Sequence, residues 1–364
     1  MDDSSIALKY PVETGLVSVV IPTHNRAGIV GRAIASALAQ TYPTVEVVVV
    51  DDGSTDATEA LVGAIPGRTT YLYQANAGVA AARNAGIASS RGEFIAFLDS
   101  DDTWHAWKVE AQVAALRENP SAGLVWTDMR AVDVAGMVQQ ERYLRTMYGA
   151  YDEVDIEAAT RRVGRLGDVL PTAPTAWREA PLRAGDLSDE ILLGNLLHTS
   201  TVLFRRAWAE RAGGFDRSYR NGCEDYEYYT RLCTLGQVLL IDAPSVDYRI
   251  GGEDQLTAPD KLLWIAQKNL ATVRRRLAER GASVSLPAAV VRRRLAQSLA
   301  WVGSMEFEAG QKGAAARHLA ASLAMRPRPD RRMAELACCA LPAPVVDGLR
   351  YLWRAGAGRS VGVE

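Results

Sequence analysis

Three short apolar runs, residues 16–21 (LVSVVI), 45–50 (VEVVVV) and 94–98 (FIAFL), each lead straight into a polar loop, and no other feature restricts the fold as tightly. Runs this short, without polar alternation, suit strands covered on both faces, as in a parallel sheet flanked by helices. Residues 27–40 place Ile29, Ile34, Ala37 and Leu38 at helical spacing between the first two runs, so the chain opens with a βαβ unit. The pattern continues with a helix from Thr55 or Asp56 behind a Ser-Thr-Asp cluster, a strand over 70–73 and a helix over 77–89. Alternation of this kind predicts an α/β, doubly wound sheet, which takes its ligands at the carboxyl ends of the strands.

Those strand ends are rich in acids. Asp51 and Asp52 close the second run, Asp99, Ser100, Asp101 and Asp102 close the third, and Pro22-Thr23-His24-Asn25-Arg26 ends the first. Paired carboxylates in one loop repel each other unless a cation or hydrogen-bond donors compensate, and a divalent ion shared with phosphate oxygens is one such compensation. Asp-Gly-Ser-Thr-Asp and Ser-Asp-Asp are also good turn and cap sequences, so either motif alone is ordinary turn chemistry. Convergence of three such loops on one sheet edge is far more specific.

Further along, 110–118 reads as a helix and 123–127 as a strand, after which periodicity fades. Residues 135–194 mix charges of both signs with Pro171, Pro174 and Pro181, a length that predicts a functional insertion or lid. Regular patterns return as a strand over 200–204, helices over 205–212 and 224–235, and a strand over 238–241. Helices are expected over 261–279, 288–309 and 313–325, and 301–327 weakly resembles a tetratricopeptide helix pair.

The length of 364 residues allows two domains with full cores. The net charge of −2 conceals an asymmetry, since residues 1–254 hold 23 Lys+Arg against 35 Asp+Glu while 255–364 hold 18 against 8. Arginine triplets at 274–276 and 292–294 lie on amphipathic patterns: a solvated face, or a surface for an anionic membrane or an acidic protein. No recognition motif or stacking platform accompanies them, so no nucleic-acid partner is expected. Four cysteines and four histidines show no zinc-site spacing. The polar opening MDDSSIALKY is unlike a secretory signal, and a cytoplasmic protein, peripheral at most to the inner membrane surface, is expected.

In order and spacing, IPTHNR, VVDDGSTDAT, AARNAG and FLDSDD resemble the nucleotide-binding half of family 2 glycosyltransferases, and Gly213-Gly214-Phe215-Asp216 with Glu224-Asp225 resembles their acceptor half. The resemblance implies a GT-A fold: a Rossmann-like, mostly parallel sheet flanked by helices. It divides residues 1–254 into a nucleotide-sugar half (16–130), an insertion or acceptor lid (135–194) and an acceptor half (195–254), followed by a basic α-helical domain over 255–364. Pro22, Thr23 and Asn25 would line the nucleoside pocket, with His24 and Arg26 beside them. Asp51, next to Asp52, would accept from the N3–H of a uracil-type base, and Arg83 would reach the base or a phosphate. Asp99 and Asp101, with Ser100 between them, match the family's DxD. Mn²⁺ or Mg²⁺ is the implied cofactor, with Asp99, Asp101 and Asp102 as candidate ligands.

Asp225, beside Glu224 at a helix start, is the implied general base, and one base activating one acceptor implies inversion at the anomeric carbon. The implied partners are a nucleotide-sugar donor, UDP-linked first, and an acceptor hydroxyl; a homo-oligomer is compatible. Tyr248-Arg249 lacks the histidine that often follows in the family, leaving Glu253 or Asp254 as substitutes. No QxxRW motif is present, which favours transfer of a single sugar over polymer synthesis. A non-catalytic nucleotide-sugar-binding scaffold and a nucleotidyltransferase are the rival readings, the latter weakened by the lack of a Gly-rich phosphate loop. His198 reads as a satisfied structural residue, Trp104 and Trp126 as core, and Cys223 as no nucleophile.

Overall fold

The structure, a computed structural model, describes residues 8–220, 222–251 and 261–342. The chain divides into two compact units, 1–258 and 259–364. In the first, β1 (Glu13–Thr23), α1 (Val30–Leu38), β2 (Val45–Asp51), α2 (Thr58–Gly63), β3 (Thr69–Tyr73), α3 (Val79–Ser89) and β4 (Gly92–Phe97) alternate as the apolar runs require. These four strands are parallel in the order β3-β2-β1-β4, with Thr23 opposite Asp51 and Val20 opposite Phe97. That register brings the ends of three strands to one edge. The core is what the unalternated runs imply: Val17, Val47, Val49, Phe94 and Phe97 are fully buried.

α2 begins at Thr58, later than expected, because the Asp56 carboxylate is occupied before the helix starts. It accepts from Ala27 N at 3.0 Å and Thr58 N at 3.0 Å, tying the first loop to the second. α3 approaches β1 so closely that a Cβ on Gly86 would lie 2.2 Å from Val20 Cγ1.

The other half of the sheet is mixed. β5 (Thr103–Trp104), α4 (Lys108–Glu118) and β6 (Ala122–Val132) are followed by β7 (Val138–Gln140), which pairs back onto β6. The aperiodic segment then forms three single-turn helices, α5 (Leu144–Met147), α6 (Ile156–Ala159) and α7 (Leu166–Val169), and two short strands, β8 (Arg161–Arg165) and β9 (Pro181–Gly185). β10 (Leu203–Arg205) inserts antiparallel between β4 and β6, α8 (Arg206–Ala212) and α9 (Glu224–Leu232) follow, and β11 (Gln237–Arg249) runs parallel to β6 and antiparallel to β9. Three short strands of 135–194 therefore join the sheet, with β8 at its edge, and four-residue helices and charged edge strands are too short to show a period.

The second unit contains α10 (Leu262–Arg280), α11 (Ala288–Glu308), α12 (Lys312–Met325) and α13 (Arg331–Cys339). α11 and α12 meet where Gly303 faces Leu319, which a Cβ on Gly303 would approach to 2.8 Å. Phe307, Ala315, Leu319 and Cys338 form one small core, and Ala266, Leu270, Leu299 and Val302 another. α13 extends the helical pattern beyond Pro327, and its buried Glu335 is held by Arg331 Nε at 2.7 Å and Ser304 Oγ at 2.5 Å. Among the described residues no helix is long and apolar enough to cross a membrane.

Candidate active site

The site grows from the three strand-end loops. After β1 the chain turns through Asn25 at φ 53, a left-handed conformation that Asn tolerates better than most residues. Asn25 Oδ1 accepts from Thr55 N at 2.8 Å and Asn25 N donates to Ser54 Oγ at 2.7 Å, strapping the first loop to the second. His24 and Asn25 are exposed at this rim, Pro22 and Thr23 are buried below it, and the Thr23 hydroxyl has no hydrogen-bond partner.

Asp51 accepts from Ser54 N at 2.7 Å and from Tyr71 OH at 2.8 Å. Asp52 has both oxygens engaged, one by Gln74 Nε2 at 2.6 Å and Ala77 N at 2.9 Å, the other by Gly78 N at 2.8 Å. Its geometry is that of a strap between β2 and the start of α3.

The third loop carries the densest charge. Asp99 N donates to Ser200 Oγ at 3.1 Å, and Ser200 Oγ donates to Asp102 Oδ2 at 2.6 Å, while Arg249 N reaches Asp102 Oδ1 at 3.3 Å. Burial, then the charges of Asp101 and Asp99, push the Asp102 carboxyl well above its ordinary range. Burial and Asp99 also raise Asp101, against the pull of Arg26 and Arg249. Ser100 is buried within the turn.

Asp99, Asp102 and His198 each present a ligand atom within 4.8 Å of the others, whereas Asp101 stands outside this cluster. Burial lowers His198 to about 4, so its ring is neutral, and it packs edge-on against Tyr248 at 5.0 Å. Two crowded carboxylates, of which Asp99 is paired with Arg83, and a neutral imidazole fit a divalent ion. The sequence pointed to the acids; His198 joins them because β10 sits between β4 and β6, a pairing no periodicity reveals. Glu253 and Asp254 lie outside the described residues.

Arg83 links this cluster to the other half. It is 3% exposed and donates to Asp99 Oδ1 at 2.8 Å and to Glu224 Oε1 at 2.5 Å, with Phe215 packed beneath its guanidinium. Burial alone would lower its pKa, but Asp99 and Glu224 outweigh it and hold the charge in place. Arg83 thus bridges two protein carboxylates.

α9 begins after Cys223, itself left-handed at φ 71, and opens with Glu224 and Asp225. Burial, then the neighbouring Glu224 charge, raise Asp225 to about 7. Asn195 Nδ2 donates to Asp225 Oδ2 at 3.0 Å. Tyr148, from the aperiodic segment, is half-buried with its hydroxyl within electrostatic reach of Asp225 and Asp99, and Tyr143 of the same segment stacks on Tyr248 at 5.8 Å. Tyr143 and Tyr148 had no signal in a segment without period, and Asn195 stands immediately after it.

Comparison with known proteins places this geometry. Residues 18–165 match the profile of Glycosyl transferase family 2. An uncharacterized glycosyltransferase of Rickettsia prowazekii is 39% identical over 231 residues, covering 64% of this chain and 63% of that protein. The succinoglycan biosynthesis protein ExoO of Rhizobium meliloti is 56% identical over 89 residues, 24% of this chain and 26% of ExoO. The crystal structure of S. aureus TarS 1–349 in complex with UDP-GlcNAc superposes with a TM-score of 0.56 at 18% identity, covering 94% of this chain and 92% of that 1–349 chain. The fold is thus of the GT-A class, a sheet flanked by helices followed by a helical C-terminal region. Within that class, the stretch that matches the family 2 profile runs from within β1 past β4 and holds the strand-end acids, and the chain spans less than two thirds of the length of its rickettsial relative.

Proposed function

We propose that the protein is an inverting, divalent-metal-dependent glycosyltransferase, moving one sugar from a nucleotide-sugar, a UDP-sugar first, to an acceptor hydroxyl. The observation that carries the reading is the continuity of the site: Asp99, Arg83 and Glu224 form one hydrogen-bonded chain from the strand-end acids to the residue beside Asp225. The UDP-GlcNAc bound by TarS supports the choice of donor.

Asp99 and Asp102, with His198, would hold Mn²⁺ or Mg²⁺. Such an ion neutralises charge developing on a leaving diphosphate. The rim formed by His24, Asn25 and Arg26, with Asp51 below it, would hold the nucleoside. Asp225 has the attributes of a base working near neutrality: a raised proton affinity and a position on a helix start fixed by Glu224. It would take the proton from the acceptor hydroxyl as oxygen attacks the anomeric carbon and the bond to the diphosphate breaks, which inverts that carbon.

The test is product analysis by NMR with a panel of nucleotide-sugars and simple acceptors. Inverted configuration, loss of turnover with EDTA and a fall of about 100-fold or more in kcat for Asp225→Asn are expected. Retained configuration, or a fully active Asp225→Asn variant, overturns the mechanism.

A further inference from the structure

We propose that Asn195 is a positioning residue for Asp225, engaging one carboxylate oxygen so that the other is presented to the acceptor hydroxyl; the inference rests on the assignment of Asp225 as base. Asn195 Nδ2 donates to Asp225 Oδ2 at 3.0 Å, and Asn195 Oδ1 accepts from Leu197 N at 3.2 Å. Only the oxygen of an amide accepts from a backbone N–H, so the second bond decides the orientation of the side chain and turns its NH₂ toward the carboxylate.

The loop that carries Asn195 is anchored from two sides. Gly194 stands at φ 152, where an added Cβ would lie 2.9 Å from Ala150 Cβ, and Tyr151 OH donates to Leu196 O at 2.8 Å. From α9 itself, Tyr226 OH donates to Leu192 O at 3.2 Å. The aperiodic segment thereby reaches the base indirectly, by fixing the loop that orients it.

The charged and titratable groups around Asp225 are Glu224 and Tyr229 on its own helix, Arg83 from α3, Asp99 from the third loop and Tyr148 from the aperiodic segment. Glu224 and Asp99 are already paired with Arg83, and the two phenols are neutral. A hydrogen bond donated to a carboxylate favours its ionised form. Asn195 therefore offsets part of the burial and charge repulsion that raise the proton affinity of Asp225.

The experiment is the pH profile of kcat/KM for the full chain with a nucleotide-sugar donor, alongside the melting temperature and the donor KM. Asn195→Asp preserves shape and the acceptor for Leu197 N–H but removes the donated bond when ionised. Its acid limb is expected to move up by about one pH unit, with a roughly tenfold loss at neutral pH and recovery at alkaline pH. Asn195→Ala should move the limb in the same direction with an unchanged donor KM. A uniform loss with the limb unmoved, while Asp225→Asn is inactive, overturns this proposal alone. Equal activity of the wild type and Asp225→Asn overturns the base assignment and the proposal together.

Discussion

Arg83 shows what a residue's surroundings add to its motif. Its motif marks it as part of the site, but the motif carries no information about α9, 141 positions away in sequence, which supplies the second carboxylate. Because Arg83 and Glu224 are buried and Asp99 is half-buried, Arg83→Met strands two acids, and a loss of roughly 3–5 kcal/mol in urea unfolding is expected. Asp247 offers a cleaner titration. It is bound by His105 Nε2 at 3.1 Å and by Arg130 through two bonds at 2.7 and 2.9 Å, where the residue after β5 and the far part of β6 meet the end of β11. Burial raises its pKa, but the bonds from His105 and Arg130 prevail and lower it to about 2. The stabilisation is therefore complete above the unfolded value near 3.8 and is lost as pH falls through about 2. Asp247→Asn should cost about 2 kcal/mol at pH 6, and its gap from wild type should close between about pH 4 and pH 2. A pH-independent gap would show that shape, rather than charge, holds the pair.

Elements were legible where burial left a period and illegible where it did not. β1, β2 and β4 are covered on both faces, so their apolar runs mark them directly, whereas β6 and β11 extend to Val132 and Arg249 through residues whose polarity conceals the strand. β8 reads RRVGR, three arginines on an exposed edge, and carries no apolar stripe. α3 was visible as a helix, but its closeness to β1 was not. It depends on Gly86, which lies one helical turn from Arg83 and has no room for a methyl group against Val20. Gly86→Ala should push α3 away from β1 and cost about 1–3 kcal/mol as overpacking. Val20→Ala creates a small cavity, yet combined with Gly86→Ala it supplies the missing space. The double variant is expected to be more stable than the sum of the single losses, by about 0.5 kcal/mol or more in a thermodynamic cycle. Strict additivity would mean that Gly86 is needed for another reason.

At the scale of the whole molecule, the charge asymmetry in the sequence follows the division into two units. The acidic part contains the strand-end loops, and several of its carboxylates are the crowded acids of the site. Asp102 in particular keeps a raised proton affinity while its charge is uncompensated, a cost that a divalent ion and a nucleotide diphosphate together remove. Ligands that bind only the folded state add stability according to their concentration over Kd, about 2.7 kcal/mol at a hundredfold excess. For a unit of roughly 250 residues this corresponds to a rise of roughly 5–10 °C in melting temperature. UDP with Mn²⁺ is expected to produce a shift of that size, and either component alone a smaller one, since each leaves the other's charge unbalanced. Asp102→Asn should lose the synergy while retaining some response to UDP through the nucleoside rim. If UDP stabilised the chain equally with Mn²⁺ and with EDTA, the acids at 99–102 would be serving the turn rather than an ion, and the metal-dependent mechanism would fall while the nucleotide site stood.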